Sequence, residues 1–179
     1  MSYLKLFSWH GASGSEYGLD VTGFPFMFIQ EDIDYDNLQT NDYLEIPEEY
    51  DEFTYSYVKN FRVKLTTAIP VGNLLLDGAG VWFPPRDSSW IGVDVFAQVT
   101  ASYVDPVANG AAPLSGFVNN VGLYNSSTSL LSMNVGALDN TDSIGYYGDW
   151  LQVQIRVGKR ANPRLTNPMS IVLNFNVLE

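Results

Sequence analysis

Hydrophobic and polar residues alternate along much of this chain with a period of two, which is the pattern of a half-buried β-strand. The clearest case is WLQVQIRVG, residues 150–158. Its apolar residues are predicted to face the core, and its polar residues are predicted to be less buried. The apolar set is Leu151, Val153, Ile155 and Val157, and the polar set is Gln152, Gln154 and Arg156. Residues 90–103 and 170–179 alternate in the same way.

Shorter segments of strand-like composition occupy much of the remaining sequence, separated by turns rich in Gly and Pro. These segments are YLKLFSW, FPFMFI, EFTYSYV, FRVKLTTAI, GFVNNVGLY and LLSMNV. No long segment shows the 3.6-residue period of an amphipathic helix. A chain of 179 residues is expected to form one domain. The pattern therefore predicts an all-β fold, an antiparallel β-sandwich with the topology of a single jelly roll and eight to ten strands.

The balance of charged residues changes near residue 52. Residues 1–52 contain 12 carboxylates and one cation, Lys5, whereas the two signs balance in residues 53–179. Ten of the carboxylates lie within residues 31–52. Three tyrosines are interleaved with them: Tyr35, Tyr43 and Tyr50. Because tyrosine buries a large ring and keeps a polar tip, we expect residues 1–52 to form an ordered acidic arm that packs on the domain, with these tyrosines at an interface.

Repulsion among so many carboxylates requires compensation. Screening by salt is one source, since the Debye length is about 8 Å at physiological ionic strength. Basic residues of a neighbouring subunit are a second source, and a bound divalent cation is a third. The candidate basic residues for this compensation are Arg156, Lys159, Arg160 and Arg164, and the three arginines are the predicted interface residues. If none of these sources operates, the acidic stretch is only a solvated face.

Calcium is the candidate cation. Asp32, Asp34 and Asp36 form a D-x-D-x-D sequence like the opening of a calcium loop. An EF-hand is excluded because Asn37 and Tyr43 stand where that loop requires Gly and Glu. The three aspartates also resemble the acidic strand of jelly-roll glucanases, which has Glu at both outer positions. Asp is shorter by about an ångström, a displacement that can cost on the order of 100-fold in rate, so catalysis is disfavoured.

The chain has few residues suited to other catalytic or metal-binding chemistry. His10 is the only histidine, and cysteine is absent. His10 begins the segment HGASGSEYG, in which we expect a solvated loop histidine. One histidine without cysteine leaves too few of the usual zinc ligands, and a nucleophile–His–carboxylate relay would have to use this residue. The chain is therefore not expected to be an enzyme, and calcium is the one cofactor considered.

Charge and hydropathy also bear on partners. The net charge is −11 and no basic arm is evident, so direct contact with nucleic acid is not expected. No apolar run approaches the roughly 18 residues that a membrane-spanning helix needs, so membrane insertion is not expected. The first residues, MSYLKLFSWHG, are too aromatic and too short for a signal peptide.

Several weak motifs occur within residues 61–178. In GVDVFAQV, the residues of a recurrent strand pattern are Gly92, Phe96 and Val99. Asp94 stands where that pattern has an aromatic residue, and Gly148-Asp149 forms a turn before an alternating strand. These features resemble tumour-necrosis-factor-like and complement-type globular heads, a jelly roll that phage virion proteins often use. The resemblance implies a non-enzymatic assembly module, usually a trimer, that decorates a particle or binds a surface receptor.

Two functions are therefore expected. The first is a structural protein of a virus particle, a phage, acting as a single jelly-roll capsid, minor capsid or decoration subunit in the virion. Such a subunit would form a homotrimer or a capsid lattice and would contact other virion proteins. The second is a carbohydrate- or receptor-binding head of a virion appendage or adhesin. This head would bind a host surface glycan through exposed aromatic rings.

Overall fold

The computed structural model describes residues 3–21, 44–72, 74–85, 90–105, 124–161 and 170–179. Within these ranges the chain forms nine β-strands and no α-helix. In chain order they are β1 (Leu4–His10), β2 (Tyr17–Asp20), β3 (Phe53–Tyr55), β4 (Lys59–Leu65), β5 (Leu75–Trp82), β6 (Val93–Thr100), β7 (Leu131–Ser132), β8 (Gly145–Gly158) and β9 (Val172–Leu178). They form two antiparallel sheets around one core, so the expected all-β sandwich is confirmed. The jelly-roll order of the strands stays a prediction.

Sheet A is organised around β8, the longest described strand. β4 pairs with its first part and β3 with its last three residues, so β3 and β4 follow each other along one edge. β6 pairs along the other edge. Val157 illustrates this arrangement, because it lies opposite Thr54 on one side and Val93 on the other. β1 and then β2 extend the sheet beyond β4.

Sheet B has the order β7–β5–β9. Its apolar residues join those of sheet A in one buried cluster. The most completely buried members, each at most 1% exposed, include Phe61, Val63, Leu76, Val81, Met133, Leu151 and Val153. Burial of each such side chain stabilises the fold by roughly 1.5–3 kcal/mol relative to exposure.

The period-two pattern predicted most of these strands. β6 and β9 lie within predicted segments, β1 ends one residue after its segment, β4 begins two residues before its segment, and β8 begins five residues before its predicted segment at residue 150. β2 and β5 were not predicted. In β5 the sequence LLDGAGVW loses its alternation because a register shift falls between Asp77 and Gly80. The segment FPFMFI and most of GFVNNVGLY lie outside the described residues.

The beginning of the chain differs from the expected arm. β1 and β2 form a hairpin, and β1 lies inside sheet A between β2 and β4. Of residues 1–52, the last nine are irregular, and Leu44 and Ile46 pack against the core. The carboxylates of this last stretch are all exposed. The arm-like part therefore does not start at the N-terminus.

One face of β8 behaves as predicted, whereas on the other face only Arg156 is less buried as predicted. The four apolar residues are at most 7% exposed, which confirms their predicted burial. The prediction that Gln152 and Gln154 are less buried is wrong, because both are 0% exposed. Gln154 donates to the Ser56 carbonyl at 2.8 Å, and Gln152 donates to Asn60 Oδ1 at 3.2 Å while accepting from Gln98 at 2.6 Å. Amides can be buried when partners of this kind replace water.

β8 also contains a bulge at Gly148, a position expected in a turn before the strand. The register with β4 shifts between Phe61 and Val63, so β8 holds extra residues at this point. Gly148 has a φ of 70°, and a Cβ atom there would collide with the Met133 carbonyl oxygen. That carbonyl accepts the Asp149 N–H at 2.8 Å. Glycine is therefore required both by its φ angle and by the close approach of the backbone.

We predict that Gly148→Ala destabilises the protein by at least about 3 kcal/mol, through left-handed strain and the clash with Met133. Gly136→Ala is the matched control, because Gly136 has a φ of 76° and no atom within 4 Å of an added Cβ. The control should cost only about 1–2 kcal/mol. Urea unfolding measures both values. Equal losses would contradict the assignment of close packing at Gly148.

Candidate functional site

Three of the predicted interface residues lie near the end of β8. Arg156 belongs to β8, and the exposed Arg160 follows the strand by two residues. Tyr50 precedes β3, which pairs with this end of β8. The ammonium nitrogen of Lys159 lies 4.6 Å from the centroid of the Tyr50 ring, and this contact joins the two segments.

Arg156 is held between two aromatic rings and one carboxylate. Its guanidinium carbon lies 4.1 Å from the centroid of the Phe53 ring and 5.3 Å from that of Phe96. Its Nε donates to Asp94 Oδ2 at 2.7 Å. Asp94 is the residue directly opposite Arg156 in β6, so the antiparallel register places the two charges together.

The surroundings keep this guanidinium charged. Partial burial acts to lower the pKa of Arg156, but hydrogen bonds to Asp94 and Tyr55 and their attraction outweigh it and raise the pKa above its usual value. The positive charge is thus neutralised by a carboxylate of the same chain. Of the described residues predicted to face a neighbour, Tyr50 and Arg160 keep exposed side chains for that role.

We call residues 48–52, with the sequence EEYDE, the acidic turn. Its four carboxylates are exposed, and the Tyr50 side chain is 69% exposed. Lys159 and Arg160 are the cations that follow β8 at this end of the sheet. The turn therefore presents a rigid aromatic ring within a group of carboxylates that outnumber those cations.

The remaining predicted site residues lie outside the described residues. They are Asp32, Asp34, Asp36, Tyr35, Tyr43 and Arg164. The calcium site and this part of the interface stay predictions. Within the ranges that the structure describes, no group of three or more His, Asp or Glu side chains is arranged to hold a metal ion.

A second surface cluster was not predicted. On the outer face of sheet A, turned away from the core, β1, β4 and β8 contribute alternate residues to it. We call this cluster the basic–aromatic face, and its members are Phe7, Trp9, Arg62, Lys64, Tyr146 and Trp150. The strand register brings them together from three distant parts of the sequence, since Phe7 lies opposite Arg62 and Lys64 lies opposite Tyr146.

The rings of this face pack edge to face. Tyr146 lies 5.5 Å from Phe7 and 4.9 Å from Trp9, measured between ring centroids. Trp9 in turn lies 5.1 Å from Trp150. Edge-to-face pairs at these distances contribute roughly 0.5–1.5 kcal/mol beyond their buried area. The aromatic side chains therefore form a connected, rigid base.

Two cations cover parts of this aromatic base. The Arg62 guanidinium lies 5.0 Å from the Trp150 centroid, and the Lys64 ammonium lies 4.9 Å from Phe7 and 4.7 Å from Tyr146. Both side chains are partly exposed. Among the described residues, neither cation forms an ion pair with a carboxylate. The face thus carries fixed positive charge on a chain whose net charge is −11.

Residues 101–105, which follow β6, cross the outer face of sheet A. The Tyr103 hydroxyl donates to the Gly11 carbonyl at 2.6 Å in the turn between β1 and β2. The Val104 carbonyl accepts a hydrogen bond from the Asn60 side chain at 3.1 Å. This segment therefore covers the middle of the outer face and separates the basic–aromatic face from the Arg156 cluster.

His10 is not the solvated loop residue that its sequence context predicts. It is the last residue of β1 and only 5% exposed, because the strand extends one residue further than its predicted segment, to the start of the Gly/Ser-rich stretch. Its Nε2 lies 3.0 Å from Ser8 Oγ, and its ring stacks on Tyr17. Ser8 is 1% exposed, so this hydroxyl presents almost no surface to a substrate.

No protein-family model, curated protein or solved structure matches the chain. No helix among the described residues is long and apolar enough to cross a membrane. The site must therefore be interpreted from its own chemistry. Exposed carboxylates, fixed cations and half-exposed rings are groups suited to recognition of another surface.

We predict that Arg156→Lys lowers the free energy of unfolding by about 1 kcal/mol. Lysine keeps the charge but loses the planar group that stacks on Phe53 and Phe96 and bonds Asp94. Arg160→Lys is the matched control at an exposed position and should change stability by less than about 0.5 kcal/mol. Urea unfolding measures the free energy of unfolding of both variants. An Arg156→Lys loss no larger than that of the control would contradict the stacking role.

Proposed function

We propose that the protein is a non-enzymatic structural subunit of a virus particle that assembles with copies of itself. The observation that carries this proposal is a set of large apolar side chains left exposed at one end of the sandwich. Their exposed fractions are 92% for Val71, 58% for Ile144, 49% for Val177 and 48% for Leu178. Clusters of exposed apolar side chains mark interaction surfaces in soluble proteins.

The strand pairing supports the grouping of these residues. Leu65 of β4 lies opposite Gly145, the neighbour of Ile144. Val71 lies in the connection that leaves β4 at that end. The connection leads to Leu75, which lies opposite Leu178. The four apolar residues thus belong to strand ends and turns at the same end of the molecule, where a neighbouring subunit would bury them.

The opposite end of β8 has its own exposed apolar residues. Phe53 is 40% exposed and Ile91 is 60% exposed, and both lie near Gly158. A subunit with apolar residues at both ends can associate into a closed ring or a lattice. Assignment to a virus particle rests additionally on the resemblance of residues 61–178 to virion jelly rolls. The burial of Ser8 beside His10 agrees with a non-enzymatic role.

The second candidate is a carbohydrate- or receptor-binding head, and the basic–aromatic face favours it. The rings of Trp9 and Tyr146 are partly exposed and are joined to the rest of the aromatic base. Sugars stack on open ring faces, however, and the cations Arg62 and Lys64 already lie over three of the rings. The face is therefore better suited to an anionic partner than to a neutral glycan.

We predict that native mass spectrometry returns a defined multiple of the 19.9-kDa chain mass. Replacing the exposed Val71 and Ile144 by Ser should shift the population to monomers that remain folded, because these side chains face solvent in the single chain. The pair Ser127→Ala and Thr128→Ser alters an exposed turn elsewhere and should leave the oligomer intact. A wild-type monomer at high concentration would overturn the proposal, and glycan-array binding by that monomer would favour the second candidate.

A further inference from the structure

The two ends of β8 present opposite charges. Near Gly158, the acidic turn carries Glu48, Glu49, Asp51 and Glu52, all exposed. Near Tyr146, the basic–aromatic face carries the partly exposed Arg62 and Lys64. Tyr146 and Gly158 are twelve residues apart, which corresponds to roughly 33 Å of strand once the two extra residues of the bulge at Gly148 are discounted. Such a separation is several Debye lengths at physiological ionic strength, so the two regions cannot neutralise each other within one chain.

Within the part of the chain that the structure describes, each region also lacks full compensation nearby. No ion pair among the described residues involves Arg62, Lys64 or a carboxylate of the acidic turn. The cations that follow β8, Lys159 and Arg160, are fewer than the four carboxylates of the turn. Lys159 is placed over the Tyr50 ring. Among the described residues, therefore, no ion pair neutralises the charges of opposite sign that these two regions carry.

Apolar surface adjoins each charged region. Ile144, 58% exposed, is two residues from Tyr146 of the basic–aromatic face. Tyr50 and Phe53, 69% and 40% exposed, lie within and next to the acidic turn. An interface commonly combines an apolar centre containing aromatic residues with a charged rim that fixes the register. The two ends are complementary, because each has apolar surface and their charges are opposite. Contact between two copies of the same end would bring like charges together.

We propose that the acidic turn of one copy docks on the basic–aromatic face of a second copy of this chain. The proposal rests on the self-assembly proposed above and names the surfaces that carry it. Glu49 and Glu52 would meet Arg62 and Lys64, and Tyr50 would supply a rigid aromatic anchor. Because the two surfaces differ, the contact propagates around a ring or is made twice in an antiparallel dimer.

Charge neutralisation tests this contact. The variant Arg62→Gln with Lys64→Gln removes the basic side, and Glu49→Gln with Glu52→Gln removes the acidic side. Each should raise the dissociation constant of the oligomer by at least about tenfold in analytical ultracentrifugation. Sodium chloride at about 1 M, where the Debye length is about 3 Å, should weaken the wild type in the same direction.

The matched control makes the same change in net charge at a different position on the surface. Ser127→Glu with Thr128→Glu alters the net charge as the basic-side variant does, but on an exposed turn between residues 126 and 129. It should leave the dissociation constant within about twofold of the wild type, since remote exposed charges are screened. Circular dichroism melting checks that each variant folds. Should the basic-side pair disturb folding through the Arg62 contact with Gly148, Lys64→Gln alone and the acidic-side pair still test the docking.

Reversal of the charges on each of the two surfaces gives the decisive test. Arg62→Glu with Lys64→Glu and Glu49→Lys with Glu52→Lys should each fail to assemble alone, and an equimolar mixture should assemble. A wild-type oligomer that withstands both neutralising variants would overturn the docking while leaving self-assembly in place. A wild-type monomer would overturn both. Loss of assembly in the control as well would show a general charge effect and would overturn the docking.

Discussion

The fold depends on the requirement that β8 be paired along both of its edges. Within the described residues, β3 and β4 share one edge and β6 occupies the other, so pairing with β8 positions three strands. The apolar side of β8 is buried against sheet B, and its other side is covered in the middle by residues 101–105 and by their bonded neighbours. The two ends of the strand project beyond this covered part. Both candidate surfaces lie at those ends, and they are therefore held at a fixed separation.

Sequence periodicity predicts the inner side of β8 because the burial of Leu151, Val153 and the following alternate residues is decided by local pattern alone. Periodicity does not predict the burial of Gln152 and Gln154 on the outer side. Gln152 and Gln154 are buried because segments distant in sequence cover them and supply hydrogen-bond partners, and alternation contains no information on such cover. The net charge of residues 1–52 also suggested one continuous arm, although the alternation of YLKLFSW predicts a strand at its beginning and β1 lies inside sheet A.

The two candidate surfaces also differ in whether the sequence predicts them. The acidic turn and its tyrosine could be predicted, since they are contiguous in sequence. The basic–aromatic face could not, because β1, β4 and β8 bring its residues together only through their register. Asp94 is the most instructive residue. The register places it opposite Arg156, whose guanidinium stacks on Phe53 and Phe96. A charge on the strand is thus accommodated by a partner that the sequence alone does not reveal.

Native-state hydrogen exchange tests the central position of β8 most directly. If β8 is paired on both edges, the backbone amides of residues 151–155 exchange only when the whole protein unfolds. Their free energy of exchange should then equal the free energy of unfolding measured in urea, and amides of the outer strands β2 and β9 should exchange faster. Exchange of residues 151–155 through a smaller opening, at rates matching or exceeding those of β9, would contradict this account.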